Sequence, residues 1–304
     1  MVLNKTLILI LPFLISFGIP VIIAFGFFHW VRFKRQGKRS PLKGSLLRSP
    51  GESLLNKIEE FDDKINDKII FIFLIPLVLY SSYISQLYFG ATKFNILVAA
   101  IIVIISIIFF ILTARQMIQL IQVRHDYRLG YEAEMAVGQE LSQLMLEGYH
   151  VFHDFPEEHN NIDHVVVGPS GVFAVETKGR AKPDKSRGTV DATVSYDGRN
   201  LIFPDNIVTS EPIEQAKKQA ATLSKFISSA TGEKIFVKPA LALPGWFIKR
   251  EKADDFILLY GRKNEYLKAV QGNEVLNREQ IGRIVHQLDS KCRDVKLQTY
   301  NPNK

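Results

Sequence analysis

Residues 161–179, NIDHVVVGPSGVFAVETKG, hold the key to the fold. Apolar and polar residues alternate with the period of two that sends successive side chains to opposite faces of a strand, and the Gly-Pro-Ser-Gly in the middle supplies a turn. The stretch predicts a β-hairpin with strands over 162–168 and 172–178. Val172, Ala174, Glu176 and Lys178 then share one face of the second strand, and Phe173, Val175 and Thr177 take the other. If residues 168–171 form a simple loop, Val167 pairs with Val172, and counting back along both strands sets Asp163 opposite Glu176. Like charges directly opposed destabilise a sheet. A divalent cation between them removes the penalty, and Mg²⁺ binds carboxylate oxygens while keeping waters for a phosphate substrate. Lys178, one step further along that face, is placed to hold an attacking water or to neutralise charge on a phosphoryl group.

Outward from the hairpin, the pattern predicts a helix over 132–147, strands over 150–155, 189–195 and 200–203, the last two joined by the turn Tyr196-Asp197-Gly198-Arg199. A helix over 212–229 starts with Pro212 in its first turn, where a missing N–H costs nothing. Strands over 235–243 and 256–260 and a helix over 277–290 follow. Helices mixed with hairpins and longer connections predict an α/β domain with a mixed sheet. Glu134 falls on the helical stripe of Val137, Leu141 and Met145, an odd place for a carboxylate unless it faces a site or serves the helix N-terminus. His153, His159 and His164 lack zinc-ligand spacing, and His164 points away from Asp163. Lys178, Arg180, Lys182, Lys185 and Arg187 read either as a grip on a phosphate backbone or as a solvated loop marked by Pro183 and Asp184. Trp246 is expected in the core.

Hydrophobic residues make up 47% of the 304, and the excess is concentrated near the N-terminus. Residues 7–30, 69–89 and 94–113 carry no charge, and each run reaches the roughly 20 residues that cross a bilayer core. The first is too long for the core of a cleaved signal, so it reads as a retained anchor. Pro12, Pro20 and Pro76 are tolerated in lipid. Residues 31–68 hold ten Lys and Arg, which places this loop in the cytoplasm and the N-terminus outside, and three crossings return the chain to the cytoplasm at Arg115. The chain divides into a first transmembrane helix (1–30), a weakly structured basic loop (31–68), a transmembrane hairpin (69–113), a linker helix (114–129) keeping Ile118 and Ile121 on one side, and a domain over 130–304 punctuated at Gly130. Residues 114–304 net only +1 of the total +7, so the basic character reports membrane topology and affinity for anionic lipid heads more than a basic groove. Cys292 is the single cysteine, which rules out an intrachain disulfide.

The run 161–179 resembles the core of the NERD (nuclease-related) domain, which is similar to the PD-(D/E)xK nuclease superfamily. The resemblance extends to GYEAE at 130–134 and EPIEQAKKQ at 211–219 and covers roughly 130–245. It implies a restriction-endonuclease-like mixed-sheet domain that cleaves phosphodiesters of DNA or RNA with Mg²⁺ or Mn²⁺. Asp163 and Glu176 would be the metal ligands, Lys178 the catalytic lysine, Glu134 an accessory acid and Gln215 a polar group orienting the site. Gly179 follows the lysine where relatives often have Asn. The expectation is a membrane-anchored nuclease with nucleic acid and membrane lipids as partners. The alternative is a non-catalytic module that tethers nucleic acid or a protein to the membrane. A transport role is weak, because no span carries an ionisable residue facing a pathway.

Overall fold

The computed structural model describes residues 19–35, 44–88, 95–158, 160–182, 192–252, 256–259 and 275–296. It separates into two compact units, one drawn from 1–46 and 295–304 and the other from 47–294. The described parts of the first are helix α1 (Ile19–Arg35) and an antiparallel pair of two-residue strands, β1 (Ser45–Leu46) and β11 (Val295–Lys296).

The second unit begins with two long helices, α2 (Glu52–Tyr88) and α3 (Ile96–Ser142), the latter closing in a 3₁₀ turn, Gln143–Glu147. They run antiparallel. Phe61 stacks on Tyr127 at 5.4 Å between ring centroids, Asp62 binds Arg124, and Lys68 Nζ donates to Gln116 Oε1 at 2.7 Å. Two expectations change here. The stretch over 31–68 is helical from Glu52 onward, because Leu54, Ile58, Phe61 and Ile65 repeat at helical spacing and turn towards α3. The linker helix and the expected 132–147 helix are one element that passes straight through Gly130. A helical glycine costs only about 1 kcal/mol, and a Cβ there would lie 3.2 Å from Leu54 Cδ1, so the bare backbone accommodates α2. The face of α3 turned to α2 carries Met117, Leu120, Arg124 and Tyr127, which leaves Ile118 and Ile121 exposed.

Three membrane spans were expected. Among the described residues, one helix is long and apolar enough to cross a membrane, the one starting at Ile96. The run over 69–89 lies in α2 through Tyr88, but after Leu79 it turns to YSSYISQLY, so its strongly apolar part covers only about 16 Å at 1.5 Å per residue. The first run is described only from residue 19, where the apolar helical part is Ile22–Val31; the remainder lies outside the described residues.

The central sheet has five strands in the order β10-β8-β4-β3-β2: β2 (His150–Phe155), β3 (Ile162–Gly168), β4 (Gly171–Thr177), β8 (Val237–Ala242) and β10 (Ile257–Leu259). The first three are antiparallel, whereas β8 joins β4 in parallel and β10 joins β8 in parallel. Helices α4 (Glu211–Thr231) and α5 (Arg278–Cys292) cover the face that carries Val165, Val167, Val172 and Ala174; α3 covers the face of Val166, Phe173 and Val175. Burial on both faces explains the near-continuous valines of β3 and β4. A second sheet, ordered β7-β6-β5-β9, comprises β5 (Thr193–Tyr196), β6 (Leu201–Ile202), β7 (Val208–Thr209) and β9 (Phe247–Arg250). Strands β7 and β9 are too short to show a period and were not expected. Trp246 is buried at 2% exposure, with Nε1 donating to the Arg180 carbonyl at 3.2 Å. Of the expected strands at 189–195 and 256–260, residues 189–191 and 260 lie outside the described residues.

Candidate active site

The hairpin adopts the expected register, with Val167 opposite Val172 and His164 opposite Val175. One step beyond the last pair, Asp163 faces Glu176. The ladder ends there because the Asp163 side chain substitutes for the strand: its Oδ2 accepts from the Thr177 N–H at 2.6 Å, while the Lys178 N–H donates to the Ala242 carbonyl at 2.9 Å. The two carboxylates are thus set by opposite edges of one bonding network.

Glu176 is 2% exposed. Its Oε1 lies 2.7 Å from Lys178 Nζ, and its Oε2 is buried without a partner among the described residues. Lys178 Nζ also donates to Gln215 Oε1 at 2.9 Å, so α4 reaches the site through the residue expected to orient it. Glu134 enters from α3. It is buried together with Ala133, Val137, Gly138 and Leu141, as the stripe implied, but the tighter 3₁₀ turn buries Leu144 and leaves Met145 exposed.

The electrostatics tie these carboxyls together. Burial, with the charges of Asp154 and Glu176, pushes Glu134 up to about 8, against the pull of Lys178 and of the Gly51 N–H that Glu134 accepts. Burial, with the charges of Glu176 and Glu134, raises Asp163 well above the ordinary carboxylate range, opposed by the Thr177 N–H and Lys178. Glu134 and Asp163 thus favour the protonated form until positive charge arrives.

Gly179 is dictated by packing. A Cβ there would sit 2.8 Å from the Leu129 carbonyl oxygen and 2.9 Å from Ala133 Cβ, so any larger residue would drive α3, and Glu134 with it, away from the hairpin.

Sequence reasoning missed one buried carboxylate. Asp154, 3% exposed, has φ +50° in β2 and lies in register opposite Asp163. It is fully engaged: Oδ2 accepts from the Ser53 N–H (3.2 Å), Ser53 Oγ (2.6 Å) and an Arg48 guanidinium nitrogen (2.9 Å), and Oδ1 accepts from Asn161 Nδ2 (3.0 Å). The pairing of β2 with β3 sets this acid opposite Asp163, and its partners Arg48 and Ser53, a hundred residues upstream, left no local signal.

The histidines behave as structure. His153 and His164 pair across β2 and β3 with their Nδ1 atoms 2.9 Å apart; burial lowers both, His153 to about 4, and they stay neutral. His159 lies outside the described residues. In the basic cluster, Arg180 binds Asp205 at 2.6 Å and covers the Phe203 ring, so it is committed to the fold, and Lys185 and Arg187 lie outside the described residues. Among the described residues, no group of three or more His, Cys, Asp or Glu converges as a metal cage. Burial raises the Cys292 thiol to about 12, which makes it an inert core residue.

Residues 129–244 match the family model described as NERD, nuclease-related domain. The match starts on α3 just before Glu134, ends just past β8, and includes Asp163, Glu176, Lys178 and Gln215. No curated protein and no solved structure matches the chain.

Proposed function

We propose that this chain, which carries a nuclease-related domain over 129–244, is a metal-dependent phosphodiesterase acting on nucleic acid. The observation that carries the reading is the state of Glu176: a carboxylate almost fully withdrawn from water, opposite a second carboxylate, with one oxygen on Lys178 and the other without a partner among the described residues. A buried acceptor left unpaired costs roughly 1–3 kcal/mol, and a cation would relieve it. The donor set suits Mg²⁺ or Mn²⁺, which need only one or two protein carboxylates and keep waters and substrate phosphates as the other ligands. Asp163 and Glu176 would hold the ion. When bound, it supplies Lewis-acid polarisation of a phosphoryl oxygen and a more acidic water.

The chain's own groups divide the remaining work. Gln215 holds the Lys178 ammonium at the mouth of the site, where it offsets charge developing on the phosphate. Glu134 keeps a proton at neutral pH and can release it as positive charge enters. For location, we propose that the apolar ends of α2 and α3 enter a membrane together, with the Lys- and Arg-rich 31–68 segment and the domain on its cytoplasmic side.

The test is cleavage of labelled DNA and RNA by the full chain with Mg²⁺, with Mn²⁺ and with chelator. Lys178→Met should lower a metal-dependent rate by about 10²-fold or more while leaving the fold intact. Equal cleavage by the variant and the parent removes Lys178 from the chemistry. The Glu176–Lys178 ion pair favours a second reading, a nuclease-like binding module whose lysine is occupied internally. Binding of nucleic acid with no turnover under either metal would select it.

A further inference from the structure

A cleft of about 610 Å³ opens beside the site along the outer face of α4, within the roughly 300–1,000 Å³ typical of ligand pockets. It is continuous with the catalytic residues, because Gln215, the acceptor for Lys178, is one of its walls. From Gln215 the same helical stripe continues through Lys218, Thr222 and Lys225, which advances about 15 Å at 1.5 Å per residue. Lys291 of α5 adds a third ammonium. All three lysines are exposed, and none forms an ion pair among the described residues.

Two further features say what kind of group the cleft would take. Gln219 is 3% exposed; its Nε2 is spent on the Asn161 carbonyl at 3.1 Å, and its Oε1 has no partner among the described residues. Glu157 lines the same space with a buried Oε1 that also has none among them; burial raises its carboxyl while the charge of Lys218 pulls it back. Both orphans are acceptors. The floor is apolar, with the Phe155 and Phe226 rings edge to face at 5.4 Å.

We propose that this cleft is a subsite for one unpaired nucleotide flanking the scissile phosphodiester, selective for bases that bear an exocyclic amino group. The lysines meet backbone phosphates, the phenylalanine wall takes the base plane, and the two orphan acceptors take the two hydrogens of an amino group. Thymine and uracil offer a single ring N–H and leave one acceptor unpaired. In a duplex the amino group is already engaged, so the base must be unpaired to enter. Glu158 also lines the cleft, and its negative charge discourages a second backbone. The proposal rests on the nucleic-acid reading of the site and names the form of substrate it accepts.

The test is fluorescence anisotropy of the full chain with labelled deoxycytidine and thymidine homopolymers and a blunt duplex, in chelator so that nothing is cleaved. The deoxycytidine strand should bind about tenfold tighter than the thymidine strand, and both tighter than the duplex. Lys225→Glu with Lys291→Glu, both at exposed positions, should weaken single-strand binding at least tenfold and flatten the salt dependence by about 0.7 in log–log slope per lysine. Glu157→Met should bring the two homopolymers towards equal affinity. Equal affinity for the two strands in the parent chain, tighter duplex binding, or an unchanged salt slope in the double variant overturns the subsite even if the parent cleaves nucleic acid. Base preference without cleavage under any metal supports the subsite and removes the nuclease reading instead. A parent chain that neither binds nor cleaves overturns both.

Discussion

Glu176 has one oxygen on Lys178 and one with no partner among the described residues, and metal-dependent stability distinguishes a metal ligand from a structural ion pair. If the idle oxygen and Asp163 take a divalent ion, the folded chain gains stability by mass action, about 2.7 kcal/mol at a hundredfold excess over Kd. Thermal melts with Mg²⁺, Mn²⁺ and chelator should show that gain in the parent and its loss in Glu176→Gln. A metal-indifferent parent beside a destabilised variant would leave only the ion pair. Glu134 makes an independent prediction through pH. Its folded-state value, about 8, lies above its unfolded value near 4.5, so the folded chain binds the extra proton between them. The associated stability is fully present below pH 4.5 and is lost as pH rises through 8. Glu134→Gln removes this term. Denaturant unfolding should find the variant gaining on the parent from pH 5 to pH 9 by roughly 4 kcal/mol, and parallel pH profiles for the two proteins would refute the assignment.

Among the elements, α3 does the positioning. It lays Val137 and Leu141 on the sheet, brings Glu134 to the end of the hairpin, and leaves Gly138 where a Cβ would lie 2.7 Å from Pro50 Cγ and 3.3 Å from His164 Cε1. Alanine normally stabilises a helix interior by about 1 kcal/mol relative to glycine. Here Gly138→Ala should instead destabilise, by about 1–3 kcal/mol, and a denaturant titration that shows a gain would mean the segment around Pro50 does not pack on α3. The elements were unevenly legible. Strands β2 and β3 matched the expected ranges to the residue, β3 because the Gly-Pro-Ser-Gly turn fixes its end. The join within α3 was invisible, because glycine is a break signal in isolation and only the presence of Leu54 shows it to be a packing device.

In the whole molecule, the compact unit that contains the site begins near residue 47, well before the matched family segment. Arg48 explains why. Its guanidinium bridges buried Asp154 and, at 2.7 Å, Asp294, so that the segment ahead of α2, the β2 strand and the end of α5 are tied at one point. Arg48→Met should cost roughly 3–5 kcal/mol, because it leaves the Asp154 charge buried with only neutral donors. Calorimetry on the full chain checks it. A loss under 1 kcal/mol would show that Ser53 and Asn161 alone satisfy Asp154. By the same logic a fragment starting at residue 114 should be less stable than the whole, since it lacks Arg48, Ser53 and the α2 face of the helical pair.

Asp163, Glu176 and Lys178 could be grouped from the sequence because a hairpin is a local object: strand period and turn length together set which side chains oppose one another. Glu134 announced itself more faintly, as an acid on an apolar stripe, and Gln215 only through the family resemblance of 211–219. Tertiary structure alone decided that Gln215 takes the Lys178 ammonium, that Asp154 is held by Arg48 and Ser53, and that α2 and α3 pack as one antiparallel pair. Periodicity records which face a residue turns to the core. It carries no record of which distant segment arrives there, and each of those contacts joins positions 37 to 106 residues apart.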